Sequence, residues 1–142
     1  MTPLEATATF HGGYAATVEA RGRQIAVDEP VEAGGGDDGM MPTELLCASL
    51  ASCFCLAVAH AARRQGAELP GLRVDVRAER AGRELRYGHI VVTATADVAQ
   101  EELAALVERA RRLCWVSNTF ATPPDIEYRS TSGDGTPRQE VS

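Results

Sequence analysis

Pro42–Gly66, PTELLCASLASCFCLAVAHAARRQG, decides how the rest of the chain is read. No charged side chain occurs between Leu45 and Ala62, and the run is mostly Leu, Ala, Cys and Val. Pro42 suits a first helical turn, where its missing N–H would be unpaired anyway. Glu44 favours the positive N-terminal end, and Arg63 and Arg64 favour the negative C-terminal end. Gly66 is a natural terminator. The stretch predicts one long helix, apolar on nearly every side and wrapped by other structure. About 18 apolar residues can also just cross a bilayer. Here much of the run is Ala, Ser and Cys, which contribute little to insertion, and His60 lies inside it. A core helix is expected, and no membrane partner.

The 142 residues suffice for one domain with a real core. The net charge is −6, and every basic residue is Arg. That balance argues against non-specific binding to nucleic acid or anionic membranes. MTPLEATATF has no basic segment followed by an apolar one, so a cytoplasmic protein is expected. In that reducing compartment four cysteines point to redox or catalytic use sooner than to a permanent staple.

Working outward, Glu5–Phe10, Tyr14–Ala20 and Gln24–Val27 read as a meander of antiparallel strands with turns at His11-Gly12-Gly13 and Arg21-Gly22-Arg23. Asp28–Met41 is acidic, glycine-rich and aperiodic, a flexible connection rather than a phosphate cradle, since no Lys-Ser/Thr follows Gly34-Gly35-Gly36. Beyond the long helix, Leu72, Val74, Val76 and Ala78 alternate with charged residues as a half-buried strand. Leu85–Ala96 returns as its partner. Asp97 and Gln100 suggest a capping box, and Leu103, Leu106, Val107, Ala110 and Leu113 mark one stripe of an amphipathic helix. Cys114–Phe120 breaks the pattern and leads to an edge strand at Asp125–Ser130. These elements predict an α+β domain over residues 1–130, with 131–142 a flexible tail. So apolar a central helix calls for a second subunit, and a homodimer is expected.

The cysteines fall in two places: Cys47, Cys53 and Cys55 on the long helix, and Cys114 after the amphipathic one. Cys53 and Cys55 diverge by about 200° around a helix and no C-x-x-C occurs, so no metal is expected. Ser49, Ser52 and Ser117 lack a G-x-S-x-G turn. His60 lies roughly 10 Å along the helix from Cys53, too far for a direct base, and reads as a packed core histidine. Two readings remain for the cysteines: small apolar fillers, or thiol redox chemistry.

The order of residues adds to this. ELLCASLASCFCLAVAHAARRQG followed by LCWVSNTF resembles the OsmC/Ohr family of thiol-dependent hydroperoxide reductases. The family pattern is a glycine-rich loop, P-x-E-L-L, a small-residue helix with one cysteine, and a later Cys-Pro-type motif with the second. GGGDDGMMPTELL supplies the first half, Cys53 falls at the helix cysteine, and Cys114-Trp115-Val116-Ser117-Asn118 supplies the second. The lead-in YAATVEARGR…VDEP is also similar, so the likeness runs from about Tyr14 to Tyr128.

The resemblance implies an OsmC-like fold, with antiparallel sheets around the central helix, assembled as an intertwined homodimer with active sites at the subunit interface. It implies a peroxidase: Cys53 attacks an organic hydroperoxide and becomes a sulfenic acid, and Cys114 resolves it as a disulfide. An external dithiol, lipoyl-linked in this family, restores both thiols, and no bound cofactor is required. In the hydroperoxide-resistance branch an Arg from an N-terminal strand, held by a Glu at the helix start, activates the thiol. Arg21 and Arg23 are the candidates for that Arg, and Glu44 for the carboxylate. Glu44 precedes Cys53 by nine places where the branch has ten, the position of Thr43. Trp115 stands where the branch has Pro. Both departures bring the chain nearer the broad OsmC-like branch. The alternatives to an enzyme are a non-catalytic small-molecule-binding or structural dimer and a thiol redox sensor.

Overall fold

A computed structural model describes residues 2–133 of the chain. Most of the expected tail, from residue 134 onward, lies outside the described residues. The elements run β1 (Thr7–Gly12), β2 (Ala15–Ala20), β3 (Arg23–Val27), α1 (Pro42–Arg64), β4 (Arg73–Arg80), β5 (Tyr87–Thr95), α2 (Gln100–Leu113) and α3 (Trp115–Ala121). The strands form two antiparallel sheets, β1-β2-β3 and β4-β5. This is the expected α+β architecture.

The β2–β3 turn places Arg21 at φ 51° and Gly22 at φ 77°. Two successive positive φ values match the right-handed twist of a tight hairpin. Pairing follows in register, from Ala20 opposite Arg23 to Ala16 opposite Val27. In β4 and β5 the apolar alternation is realised: Val74 pairs with Ala94, Val76 with Val92 and Ala78 with Ile90. Those residues are half-buried, while Arg73, Asp75 and Arg77 face outward.

The core lies between α1, α2 and β4-β5. It is built from Leu50, Phe54, Ala57, Val58, Ala61 and Ala62 of α1 with Leu106, Ala110 and Cys114, and Val74, Val76, Ile90 and Val92 pack against it. Only one face of α1 is covered. Leu46, Ser49, Ser52, Leu56, Ala59 and His60 are exposed, Leu56 at 70%. This corrects the expectation of a helix wrapped all round: one chain supplies walls for one side. α1 is long and apolar enough to cross a bilayer, but it packs along β4, α2 and α3.

Asp97 does not cap α2. The N-cap is Ala99, with no side-chain bond. The Asp97 N–H donates to Pro70 O at 2.9 Å and its carboxylate lies over Gly71, so the residue belongs to the turn before β4. Asp125–Ser130 forms no strand and holds only an isolated bridge at Tyr128. Ile126 and Tyr128 are 63% and 62% exposed, and among the described residues the segment joins neither sheet.

The glycine-rich loop is organised rather than slack. Asp28, 2% exposed, accepts the N–H groups of Glu29 at 2.7 Å and of Gly36 and Asp38 at 3.3 Å each. Burial alone would raise its pKa. The N–H groups of Glu29, Asp38 and Gly36 outweigh burial and hold the carboxyl below its ordinary value. Val27 bridges to Met40, and at Gly39 an added Cβ would sit 2.4 Å from Ala26 O. The loop therefore returns onto β3 and delivers the chain to Pro42 at a fixed point.

Candidate active site

α1 and the α2–α3 junction bring Cys53 and Cys114 together. Cys53 is half-buried, one residue before the buried Phe54, and it packs against the cluster that contains Cys114. Cys114 is fully buried. It ends α2 and caps α3, with φ −87° and ψ 105°. The extended backbone at Cys114 breaks the helix, turning the chain so that Val116 and Ser117 fold back over its sulfur.

That local geometry sets the chemistry of Cys114. Burial pushes its pKa up. The Ser117 hydroxyl, the Ser117 N–H, the Cys53 thiol and the Val116 N–H push it down, and together they prevail. Donors aimed at a sulfur favour its anionic form. The Ser117 Oγ also lies 3.3 Å from Cys114 O, and its hydrogen can rotate between the two acceptors. Both cysteines stand out in the sequence, whereas these donors do not. The Cys-x-x-Ser spacing at 114–117, a cap residue with Ser at the third helical position, was the available signal.

The other expected site residues lie apart from the thiols. Glu44 Oε1 accepts the Met41 N–H at 2.9 Å, so its carboxylate closes the first turn of α1. Arg21 and Arg23 are exposed on the β2–β3 turn, where Arg23 Nη1 donates to Arg21 O at 3.4 Å. Among the described residues neither arginine makes a hydrogen bond or ion pair with Cys53, Cys114 or Glu44. Within one chain, the three groups that the family pattern would join are thus separate.

A groove of about 750 Å³ runs past Phe54 and Ser117, the neighbours of the two cysteines, and neither sulfur lines it. Leu50, Phe54, Ile90, Val92, Val107 and Phe120 form its apolar part, and Glu108, Arg111, Arg112, Ser117 and Asn118 its polar part. Trp115 faces elsewhere: it is 69% exposed and lines a separate recess with Thr119 and Pro124. Met40 lies on the β3 side, at the bridge to Val27. His60 is exposed, correcting its reading as a packed core residue. Cys47 and Cys55 are half-buried on α1 and free. Among the described residues no three metal-ligating side chains converge.

A family model described as "OsmC-like protein" matches residues 34–129. Among solved structures, the chain is similar to an organic hydroperoxide resistance protein OsmC from Legionella pneumophila. The two are 26% identical with a TM-score of 0.69, over 86% of this chain and 91% of the other. It is similar to an organic hydroperoxide resistance protein from Elizabethkingia anophelis, at 26% identity and TM-score 0.64 over 87% and 91% of the two chains. An OsmC-like protein from Mycoplasma pneumoniae shares the fold at 17% identity and TM-score 0.74, over 86% and 89%. No curated protein matches at the sequence level.

Proposed function

The chain belongs to the OsmC-like protein family, and on that premise we propose that it is a thiol-dependent peroxidase reducing organic hydroperoxides to alcohols. The observation that carries this reading is the meeting of Cys53 with Cys114, which are far apart in sequence, in one cluster where the Cys53 thiol bonds to the Cys114 sulfur. The names of the two relatives at 26% identity, both organic hydroperoxide resistance proteins, support it.

Access supports these roles. Cys114 is 0% exposed, whereas Cys53 is only partly buried and open to a peroxide. The Cys53 thiolate attacks the terminal oxygen of ROOH, the O–O bond breaks, and the alkoxide takes a proton to leave as ROH. Cys53 is left as the sulfenic acid, oxidised by two electrons. The Cys114 thiolate then attacks the Cys53 sulfur, the S–OH bond breaks, and water departs once the hydroxide is protonated. An external dithiol, lipoyl-linked in the reading from the resemblance, reduces the disulfide by exchange and leaves oxidised. No bound cofactor takes part. Donors around Cys114 fit the resolving role, because they favour the thiolate that must attack the sulfenic acid.

Ionising Cys53 for the first step needs a cation or strong donors. The Arg21–Arg23 turn and Glu44 are candidates only if a second copy completes the site. The uncovered face of α1 and the open β1–β3 sheet favour such a homodimer. A cytoplasmic setting fits the thiol chemistry. A non-catalytic binder or a redox sensor would keep the same fold with Cys53 unactivated.

The test is turnover of cumene hydroperoxide with dihydrolipoamide as reductant. Cys53→Ser is expected to abolish turnover. Cys114→Ser is expected to permit one oxidation that stalls at the sulfenate or a mixed disulfide. Full dithiol-dependent activity in Cys53→Ser would overturn the assignment, and a wild-type protein that is oxidised once but not recycled would identify a sensor.

A further inference from the structure

Cys114 is fully buried, yet it must lose a proton before it can attack Cys53. The side chains gathered around it from α1, α2 and β4-β5 are apolar apart from the Cys53 thiol. Beyond burial, what bears on its sulfur is uncharged: the Ser117 hydroxyl, the Ser117 and Val116 N–H groups and the Cys53 thiol. A backbone N–H donates and does not take up a proton. The Cys53 thiol already gives its hydrogen to the Cys114 sulfur, and once oxidised it is the centre under attack. Among the described residues that leaves one protic side chain able to carry the proton away.

Ser117 stands where such an outlet is needed. It is half-buried at the third position of α3 and lines the groove. Its Oγ lies 3.3 Å from Cys114 O, so the hydroxyl rests against the buried residue. A hydroxyl has one hydrogen to give and lone pairs to receive another. It can therefore serve the thiol on one side and the groove on the other. The charged residues of that wall, Glu108, Arg111 and Arg112, are less suited. Glu108 and Arg111 hold each other at 3.0 Å, and a guanidinium accepts no proton.

We propose that Ser117 is the proton outlet of Cys114, its hydroxyl passing the thiol proton to water in the groove. The Cys114 thiol gives its proton to Ser117 Oγ as the Ser117 hydroxyl gives its own to a water molecule. The re-formed hydroxyl then donates to the new thiolate. That thiolate attacks the Cys53 sulfur, the S–OH bond breaks, and the departing hydroxide takes up the released proton and leaves as water. Ser117 ends as it began. The inference rests on the resolving role proposed for Cys114 and adds the residue that handles its proton. The competing path, direct transfer from Cys114 to the leaving group, needs no Ser117.

Diamide supplies a test that is independent of peroxide chemistry. It forms an adduct at the Cys53 sulfur, which the Cys114 thiolate displaces as a hydrazine, so the closing step is read alone. The parent is the full chain with Cys47→Ser and Cys55→Ser, and closure of the Cys53–Cys114 disulfide is followed by mass spectrometry of quenched samples. Ser117→Ala is expected to slow closure at least about tenfold, and to stay as far below the parent on the high-pH plateau. Ser117→Thr, which keeps the hydroxyl, should restore the parent rate. Recovery of Ser117→Ala at high pH would show that Ser117 only stabilises the thiolate, and overturns the outlet. Closure of Ser117→Ala at the parent rate overturns it in favour of direct transfer. Equal loss in Ser117→Thr overturns it in favour of packing. A parent chain that cumene hydroperoxide fails to oxidise, but whose closure under diamide depends on the hydroxyl, sinks the peroxidase reading and leaves the outlet standing. No closure in the parent overturns both.

Discussion

The two sheets of this chain live under different conditions. β4-β5 rests on α1 and the core cluster, so each of its strands has one half-buried face. β1–β3 has equally regular pairing, but no helix of the described chain packs substantially against it. Its strands are exposed or half-exposed, Phe10 at 70% and Ile25 at 43%, and only Val27 at its end is buried. Hydrogen bonding thus makes both sheets regular, while burial makes only one of them part of a core. A three-stranded sheet with no covered face contributes little stability alone. The difference locates what a second subunit would have to supply: a cover for β1–β3 and for the bare side of α1.

That contrast can be broken at several strengths. The largest effect is expected from Ile25→Asp, which would place an unpaired carboxylate in the proposed subunit contact. Self-association should weaken by two orders of magnitude or more, read by sedimentation velocity, because an uncompensated buried charge costs several kcal/mol. A sedimentation coefficient identical to wild type would show that the open sheet faces water. Next, Leu106→Ala empties a fully buried position of the closed half. It should lower unfolding stability by about 2–5 kcal/mol in denaturant titrations.

Ser117→Ala acts inside the closed half without disturbing its packing. It removes the leading donor to Cys114, so the midpoint of the pH profile for disulfide formation should rise. An unmoved midpoint would mean that the backbone donors suffice. The smallest effect concerns the loop joining the two regions. The Asp28 carboxyl is held below its unfolded value, so its stabilising contribution is complete above that value, near pH 4. It is lost as pH falls through the lower native pKa. The acid limb of a stability–pH curve should therefore be shallower in Asp28→Asn than in the wild type.

Most of the architecture was legible because period and punctuation agreed. Alternation at Leu72–Ala78 and the stripe Leu103–Ala110 each allow one buried face, and the fold uses those faces. α3 was not legible. WVSNTFA is seven residues long with no apolar stripe, and it is held by its cap at Cys114 and its place beside α1. The absence of a strand at Asp125–Ser130 has a related cause: alternation can be written in a sequence, but a strand needs an edge to pair with. His60 and Asp97 were misplaced for different reasons: His60 lies on the face of α1 that this chain leaves uncovered, and Asp97 is engaged by Pro70 and Gly71, distant in sequence.

By itself the sequence determined the element types, the family and the two sulfurs worth following, because periodicity, turn residues and motif order are local properties of the chain. Only the tertiary structure decided that Cys114 is the sulfur wrapped in donors and that Glu44 closes a helix turn. Those facts depend on which distant segments pack together, and packing is settled by the balance of burial and hydrogen bonding over the whole fold rather than by any one stretch.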